Sequence, residues 1–197
     1  MASFTREGPG LEDIIKALKS LHRLTTSVGW FPGAKYEDGT PVAYVAAIQE
    51  YGTTFTHPGG TKYVIGEDGK AVFVKNNYSG KIAGVTKPHK IVIPPRSFMR
   101  TTIEERKKAW ADLAKSGSRA VFVGNSTPMQ VMTGLGVAAS GDIRKKITEI
   151  NSPPLKAGTI AARKRKLSKG KKVGGLTKPL VESSHMITTL TSTVEKI

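Results

Sequence analysis

The chain has 197 residues, 38% of them hydrophobic, which is enough to bury a core and excludes a disordered polypeptide. It has no cysteine, so disulfides and thiolate nucleophiles are excluded. No apolar run reaches the length of a membrane span, and the amino terminus lacks a signal-peptide pattern, so we expect a protein made in the cytoplasm with no membrane partner. The formal net charge of +16 favours polyanionic partners.

The first quarter of the chain predicts two helices and one short strand. Apolar residues in Leu11–Leu21 recur at three- and four-residue steps, which is typical of an amphipathic helix. Val28–Phe31 predicts a short strand closed by a Pro-Gly turn. A second helix is predicted over Pro41–Tyr51, with Thr40 as its N-cap and Gly52 as its stop.

Residues 53–90 predict a β-hairpin insertion. Lys62–Ile65 and Ala71–Lys75 are rich in β-formers and flank the turn sequence Gly66-Glu67-Asp68-Gly69. The nearby His57-Pro58-Gly59-Gly60 run predicts a loop corner, with a turn whose amides face an anion as the less favoured alternative.

The rest of the chain predicts a strand over Lys90–Ile93, a helix over Ser97–Lys115, a long helix over Pro128–Ile150 and a final strand over Met186–Val194. The long helix contains glycines that predict either a break or a close helix contact: Gly134, Gly136 and Gly141. Residues 1–197 are expected to form a single α+β domain, with a mostly antiparallel sheet packed against several helices, an inserted hairpin and a basic loop.

The sequence offers no convergent catalytic or metal-binding groups. His22, His57, His89 and His185 lack a metal-ligand spacing. The run Glu182-Ser183-Ser184-His185 brings nucleophile and base types together only as neighbours, which do not face one another, so a polar turn is the favoured interpretation. We therefore expect no enzyme activity, no catalytic residue, no cofactor and no metal.

Residues 156–178 carry nine positive charges and no acid, and we predict a flexible basic segment there. Three interpretations remain open: a solvated loop, contact with DNA phosphates without sequence readout, and contact with an acidic partner. The candidate contact residues for DNA or an acidic partner are Arg163, Lys164, Arg165, Lys166, Lys171 and Lys172.

Three separated blocks resemble a family of tailed-bacteriophage neck and tail-completion proteins, which sit at the head–tail joint of the virion. They are Val42–Gly52, Ile93–Arg100 with its continuation to Glu104, and Lys178–Ile187. The run His57–Tyr63 also recurs, as an insertion between the first two blocks, in prophage proteins of this type. The chain departs from the family pattern at Glu182–His185, where relatives tend to show an aspartate-threonine-glycine turn.

The resemblance implies a structural α+β subunit of the virion neck, with helices on one face of the sheet, forming a homo-oligomeric ring of six-fold or twelve-fold symmetry. Such a ring would join or complete the tail at the DNA-filled head. Its neighbours would be head connector or portal-side proteins, and tail tube or tail terminator proteins, with non-specific contact to packaged DNA. From the charge alone, a non-specific basic nucleic-acid-binding protein is the alternative.

Partner contact in such a ring is predicted at two places. One is the hairpin around Tyr63 and Phe73, and the other is the helix start at Arg96 and Phe98. All four residues are selected because we expect them to be exposed.

Overall fold

The computed structural model describes residues 10–197 and confirms the predicted α+β class. The helices are α1 (Leu11–His22), α2 (Val42–Tyr51), α3 (Met99–Phe122), α4 (Pro128–Glu149), α5 (Ala157–Ser168) and α6 (His185–Thr188). The strands are β1 (Leu24–Gly29), β2 (Thr53–His57), β3 (Lys62–Ile65), β4 (Ala71–Phe73), β5 (Gly84–Val85), β6 (His89–Ile93) and β7 (Thr191–Lys196). Within residues 10–197 no helix is both long and apolar enough to cross a membrane.

The strands form three small antiparallel sheets, where the sequence predicts one. β1 pairs with β7, β2 pairs with β6, and β3 lies between β4 and β5. We call the three-stranded β4-β3-β5 unit the hairpin sheet. It confirms the predicted hairpin of β3 and β4, in which Tyr63 lies directly opposite Phe73. The insertion therefore has its own sheet and does not extend the sheet formed by β1 and β7.

Helix α4 is continuous and packs directly on the β1–β7 sheet. Its start is fixed by a capping box, in which Thr127 accepts from the Gln130 N–H and the Gln130 side chain accepts from the Thr127 N–H. Thr26 of β1 donates its hydroxyl to the Met132 carbonyl at 3.0 Å. Gly136 is buried at this contact, which explains one helical glycine as a close approach of strand to helix and not as a break.

Helices α3 and α4 pack against each other side by side. Asp142 of α4 accepts from both Arg106 Nε at 3.0 Å and Trp110 Nε1 at 2.8 Å on α3. A Cβ at Gly117 would lie 2.5 Å from a Val131 methyl, so the two helix backbones approach closely there. This packing carries α3 beyond its predicted end at Lys115, as far as Phe122.

The core lies between α2, the start of α3, the second half of α4 and the segment that leads into β7. Phe98 is fully buried at its centre and meets Trp30 edge to face, with ring centroids 5.8 Å apart. The other buried members of this cluster are Val42, Ala46, Ile143, Ile147, Leu180, Met186 and Leu190. Single elements from four separate parts of the sequence thus share one apolar cluster.

Two predicted elements are wrong in type. Met186–Val194 is not one strand: its first part is the short helix α6, and only the part from Thr191 onward is strand. The Thr188 and Thr189 hydroxyls both donate to the His185 carbonyl, and these bonds close a helical turn where a strand is predicted. Residues 156–178 are not a flexible loop throughout, because α5 occupies Ala157–Ser168.

The contact between Gly136 and the sheet gives a stability prediction with a control in the same helix. A Cβ at Gly136 would lie 2.8 Å from Ser192 Cβ and 2.9 Å from Thr26 Cγ2, whereas a Cβ at Gly134 would meet nothing within 4 Å. We expect Gly136→Ala to lower the free energy of unfolding by about 1–3 kcal/mol. Gly134→Ala should raise it by about 1 kcal/mol, since only the helix-propensity cost of glycine is removed. Urea unfolding followed by circular dichroism measures both, and a stabilised Gly136→Ala protein would contradict the packing.

Candidate functional site

The carboxylate of Glu50 joins the end of α2 to the start of α3. It accepts from the backbone N–H of Met99 at 2.8 Å and of Arg100 at 3.1 Å, and Arg100 Nε adds a third bond at 3.0 Å. Glu50 is buried, so its charge is compensated by the helix N-terminus and by the guanidinium. The Arg100 guanidinium also stacks over the Tyr51 ring at 4.8 Å.

Gly52 is the point at which the chain leaves α2 and passes against the two prolines that precede α3. Its φ is +72°, and a Cβ there would lie 2.8 Å from the Pro95 nitrogen and 2.9 Å from the Ile93 carbonyl oxygen. The neighbouring Arg96 N–H donates to the Gln49 carbonyl at 2.7 Å. Only glycine combines this backbone conformation with so close a contact.

The block Lys178–Ile187 meets the other two blocks in the core. Leu180 and Met186 belong to the same buried cluster as Phe98, and the Met186 carbonyl accepts from Trp30 Nε1 at 2.8 Å. The structure therefore brings together three blocks that lie far apart in the sequence.

Arg96 is a buried structural residue. It is 6% exposed, and its guanidinium donates to the Pro153 carbonyl at 2.9 Å and to Gln49 Oε1 at 3.1 Å. Burial lowers the pKa of the Arg96 guanidinium, and the positive charge of Arg163 lowers it further. The predicted exposure of Arg96 and Phe98 is wrong, because the proline-locked segment directs both side chains inward.

Arg163 is also buried, at 3% exposure, and it holds the chain after α5 in place. Its Nη1 donates to the carbonyls of Gly175 and Lys178, both at 2.6 Å. Its Nε–H has no hydrogen-bond acceptor, and the Glu182 carboxylate lies 3.7 Å away. A third carbonyl, that of Pro179, also accepts from Arg163. Because these three bonds hold the guanidinium inside the protein, the predicted exposure of Arg163 is wrong as well.

These two arginines line an open groove of about 930 Å³ between α2, β6, α5 and the segment after α5. We call it the basic groove. Its cationic side chains are Arg96, Lys156, Arg163, Lys166, Lys171 and Lys172, and its carboxylates are Glu37 and Glu182. Apolar side chains, among them Val45, Val92 and Leu155, also line it. The arrangement suits an anionic partner that also has apolar atoms to bury.

The remaining candidate basic residues lie on the surface. Lys164, Lys166, Lys171 and Lys172 are exposed, and Arg165 is partly buried. Of the six predicted contact residues, Arg163, Lys166, Lys171 and Lys172 share the basic groove, whereas Lys164 and Arg165 are not among its lining residues. The structure thus divides one basic run in the sequence into two surfaces.

The hairpin sheet presents an apolar surface of the kind predicted at Tyr63 and Phe73. Phe73 is 63% exposed, and Ile65, on the same face of the hairpin sheet, is exposed as well. Tyr63 is partly buried, because its ring lies over Gly84, where a Cβ would come within 2.7 Å of the phenol oxygen. Phe73 is therefore the more accessible member of the predicted pair.

A second apolar surface was missed by the sequence prediction. On α2, Tyr44, Ala47 and Tyr51 are all exposed, and Phe55 of β2 is exposed as well. The sequence does contain a pattern that indicates this surface, because positions 44, 47 and 51 follow helical spacing and carry no charge. A stripe opposite the buried Val42 and Ala46 gives α2 two apolar faces, of which the core covers only one.

The histidine-containing turns are structural. Gly59 N–H donates to His57 Nδ1 at 3.0 Å and Gly60 N–H donates to the Thr86 carbonyl at 2.9 Å, so these amides are engaged and the loop-corner interpretation is favoured. The His185 ring lies against Tyr36, and its Nε2 is 2.8 Å from the Lys35 carbonyl oxygen. Within residues 10–197, no group of three or more histidine, aspartate or glutamate side chains could hold a metal ion.

No protein-family model matches the chain, and no curated protein sequence or solved structure is significantly similar to it.

The buried carboxylate at the start of α3 gives a second stability prediction. Glu50→Ala removes the acceptor of two backbone N–H groups, so we expect the free energy of unfolding to fall by about 2–3 kcal/mol. Arg100→Ala should cost about 1 kcal/mol or less, because its guanidinium is half exposed and can be solvated when unpaired. The comparison is made by chemical denaturation, and equal losses for the two variants would contradict the role given to Glu50.

Adjacent arginine and lysine residues on α5 give a third prediction, on the two parts of the basic run. Arg163→Met leaves three backbone carbonyls without their donor and should lower the free energy of unfolding by about 3 kcal/mol. Lys164→Met changes the same charge at an exposed position and should alter it by less than about 0.5 kcal/mol. Thermal unfolding of the two proteins at equal ionic strength makes the comparison, and an unaffected Arg163→Met protein would contradict the structural role.

Proposed function

We propose that the protein is a structural subunit of the tailed-phage neck, which forms a ring that joins or completes the tail at the DNA-filled head. It works through its surfaces and makes or breaks no covalent bond. Its neighbours are further copies of itself, the head connector or portal-side proteins, and the tail tube or terminator proteins.

The observation that carries the proposal is the excess of exposed surface. The accessible area is 13479 Å², whereas a compact monomer of 21.1 kDa exposes about 9000 Å². By the same scaling, nine residues of unfolded chain expose about 1400 Å², so residues 1–9 cannot account for the difference. The remaining excess of about 3000 Å² is of the size that two obligate subunit contacts would cover.

The character of that surface also supports association. The apolar stripe on α2 and the apolar face of the hairpin sheet lie on different elements, and both expose large side chains, such as Tyr51 and Phe73. Unpartnered apolar surfaces of this kind mark interaction sites. Two different contact surfaces on one subunit are what a head-to-tail ring requires, because each subunit meets one neighbour with each surface.

The junction of α2 with α3 supports the resemblance on which the proposal also rests. The residues that carry the resemblance are those that build the junction: Glu50 caps α3, Gly52 permits the close turn, and Phe98 fills the core. A motif used in this way specifies a scaffold and not a reactive site.

Exposed lysines favour one second candidate, non-specific binding of nucleic acid. Lys164, Lys166, Lys171 and Lys172 are all exposed, and no acid lies between residues 156 and 178. Such residues bind phosphates without reading sequence. In a neck ring the same lysines would contact the DNA that passes through the channel.

The proposal predicts that the chain is present in purified phage particles, with DNA-filled heads and separate tails accumulating in its absence. Tyr51→Asp and Phe73→Asp should each reduce the yield of joined particles at least tenfold without unfolding the subunit. Val123→Asp is the control, since Val123 is equally exposed but lies on neither apolar surface. Mass spectrometry of particles and electron microscopy of lysates make the measurement.

Particles that lack the polypeptide, or normal joining in both surface variants, would contradict a neck role. A monomeric protein that binds DNA tightly and loses that binding in high salt would favour the second candidate.

A further inference from the structure

We propose that the acidic tip of the hairpin sheet in one subunit enters the basic groove of the neighbouring copy. The acidic tip is Glu67 and Asp68, in the turn between β3 and β4. This contact rests on the proposed function, since it specifies how two subunits of the ring would meet.

The groove has more positive than negative charge. Six cationic side chains line it, against the two carboxylates of Glu37 and Glu182. Glu182 is already engaged, because its carboxylate bonds Lys166 at 2.5 Å and lies 3.7 Å from Arg163 Nε. A second copy that supplies carboxylates would lower the repulsion among the remaining cations.

The two guanidinium groups that line the groove are incompletely compensated. Arg96 bonds only neutral acceptors, and among residues 10–197 no carboxylate lies within ion-pair distance of it. Arg163 is 3% exposed, and its Nε–H has no hydrogen-bond acceptor. Arg96 has no carboxylate partner, and Arg163 shares Glu182 with Lys166, so a further anion placed over this part of the groove is favourable.

The tip has the complementary chemistry. Glu67 and Asp68 are both exposed, and the Lys70 ammonium lies 4.0 Å from the Asp68 carboxylate, which is a weak surface pair. Ile65, at the end of β3, is 57% exposed next to the turn. The tip therefore offers two carboxylates and an adjacent apolar side chain, which match the cations and the apolar lining of the groove.

Shape favours a hairpin over a DNA duplex in this groove. A two-stranded ribbon is narrow, with strands about 5 Å apart, and ends in a tight turn that can enter a cleft. A duplex would meet the exposed lysines at the rim of the groove, whereas a narrow turn can enter the groove between them. No residue of the hairpin sheet is among the residues that line the groove, so the tip does not fill the groove of its own subunit.

The test uses charge variants of the full chain and sedimentation velocity over a range of concentrations. The tip variant is Glu67→Lys with Asp68→Asn, which keeps the Oδ1 acceptor of the Lys70 N–H. The groove variant is Lys171→Glu with Lys172→Glu. Each alone should weaken self-association at least tenfold, and an equimolar mixture should associate again, because each variant keeps the half of the contact that the other has lost.

Matched controls change charge in the same direction at exposed positions outside the contact: Glu104→Lys for the tip and Lys164→Glu for the groove. Wild-type association in all four proteins would overturn the inference. A groove variant that loses DNA binding but associates like the wild type would also overturn it, since the groove would then serve nucleic acid.

Cross-linking in assembled particles separates this contact from the proposed function. The chain has no cysteine, so Glu67→Cys with Lys172→Cys provides the only thiols of the subunit. A short bis-maleimide should link them into multimers, whereas Glu67→Cys with Lys164→Cys should stay monomeric. Particles that contain the chain but give no multimers would overturn the contact and leave the neck role standing. Particles without the chain would overturn the neck role itself.

Discussion

The bonds between the Glu50 carboxylate and the first N–H groups of α3 are the constraint on which the arrangement of the fold depends. It fixes the direction of α3 relative to α2, and the two prolines and Gly52 leave the intervening chain little freedom. With α3 so placed, Phe98 enters the core, and α4 packs alongside α3 and over the β1–β7 sheet. The hairpin sheet and the apolar stripe of α2 are then left outside the core, as surfaces available to partners.

The elements that the sequence predicts well are those with local signals. The stripe in Leu11–Leu21, the turn between β3 and β4 and the start of the long helix at Pro128 each depend on residues that are near one another in the sequence. The burial of Arg96 and Arg163 has no such signal, because it depends on carbonyl groups up to 58 residues away. Charge density predicts Arg163 to be a surface residue, and its place at a helix start predicts the same of Arg96, whereas the tertiary structure surrounds both with carbonyl groups. The same limit applies to α6, where Met186 is buried in the core and its carbonyl accepts from Trp30 Nε1, 156 residues away.

The basic run after Pro154 combines two tasks that the sequence does not separate. Arg163 holds the segment after α5 in place by hydrogen bonds to its carbonyls. The neighbouring lysines give the groove and the surface of α5 their positive charge. The carbonyls that Arg163 bonds are neutral, so its guanidinium adds to the positive charge of the groove, and the Glu182 carboxylate offsets part of it. These bonds from Arg163 help to explain why an ordered helix occupies what composition alone predicts to be flexible.

The pairing of β1 with β7 has a consequence for the order in which the molecule forms. Leu24 lies opposite Lys196, so this sheet closes a loop that contains almost every other element. The β3–β4 hairpin and the α3–α4 pair need only short loops and can appear early, whereas closure of the outer strands carries the larger entropic cost and comes late. The apolar side chains of the hairpin sheet, such as Phe73, are thus exposed before β1 and β7 have paired. Because each chain carries a formal net charge of +16, electrostatic repulsion opposes premature association through that exposed surface.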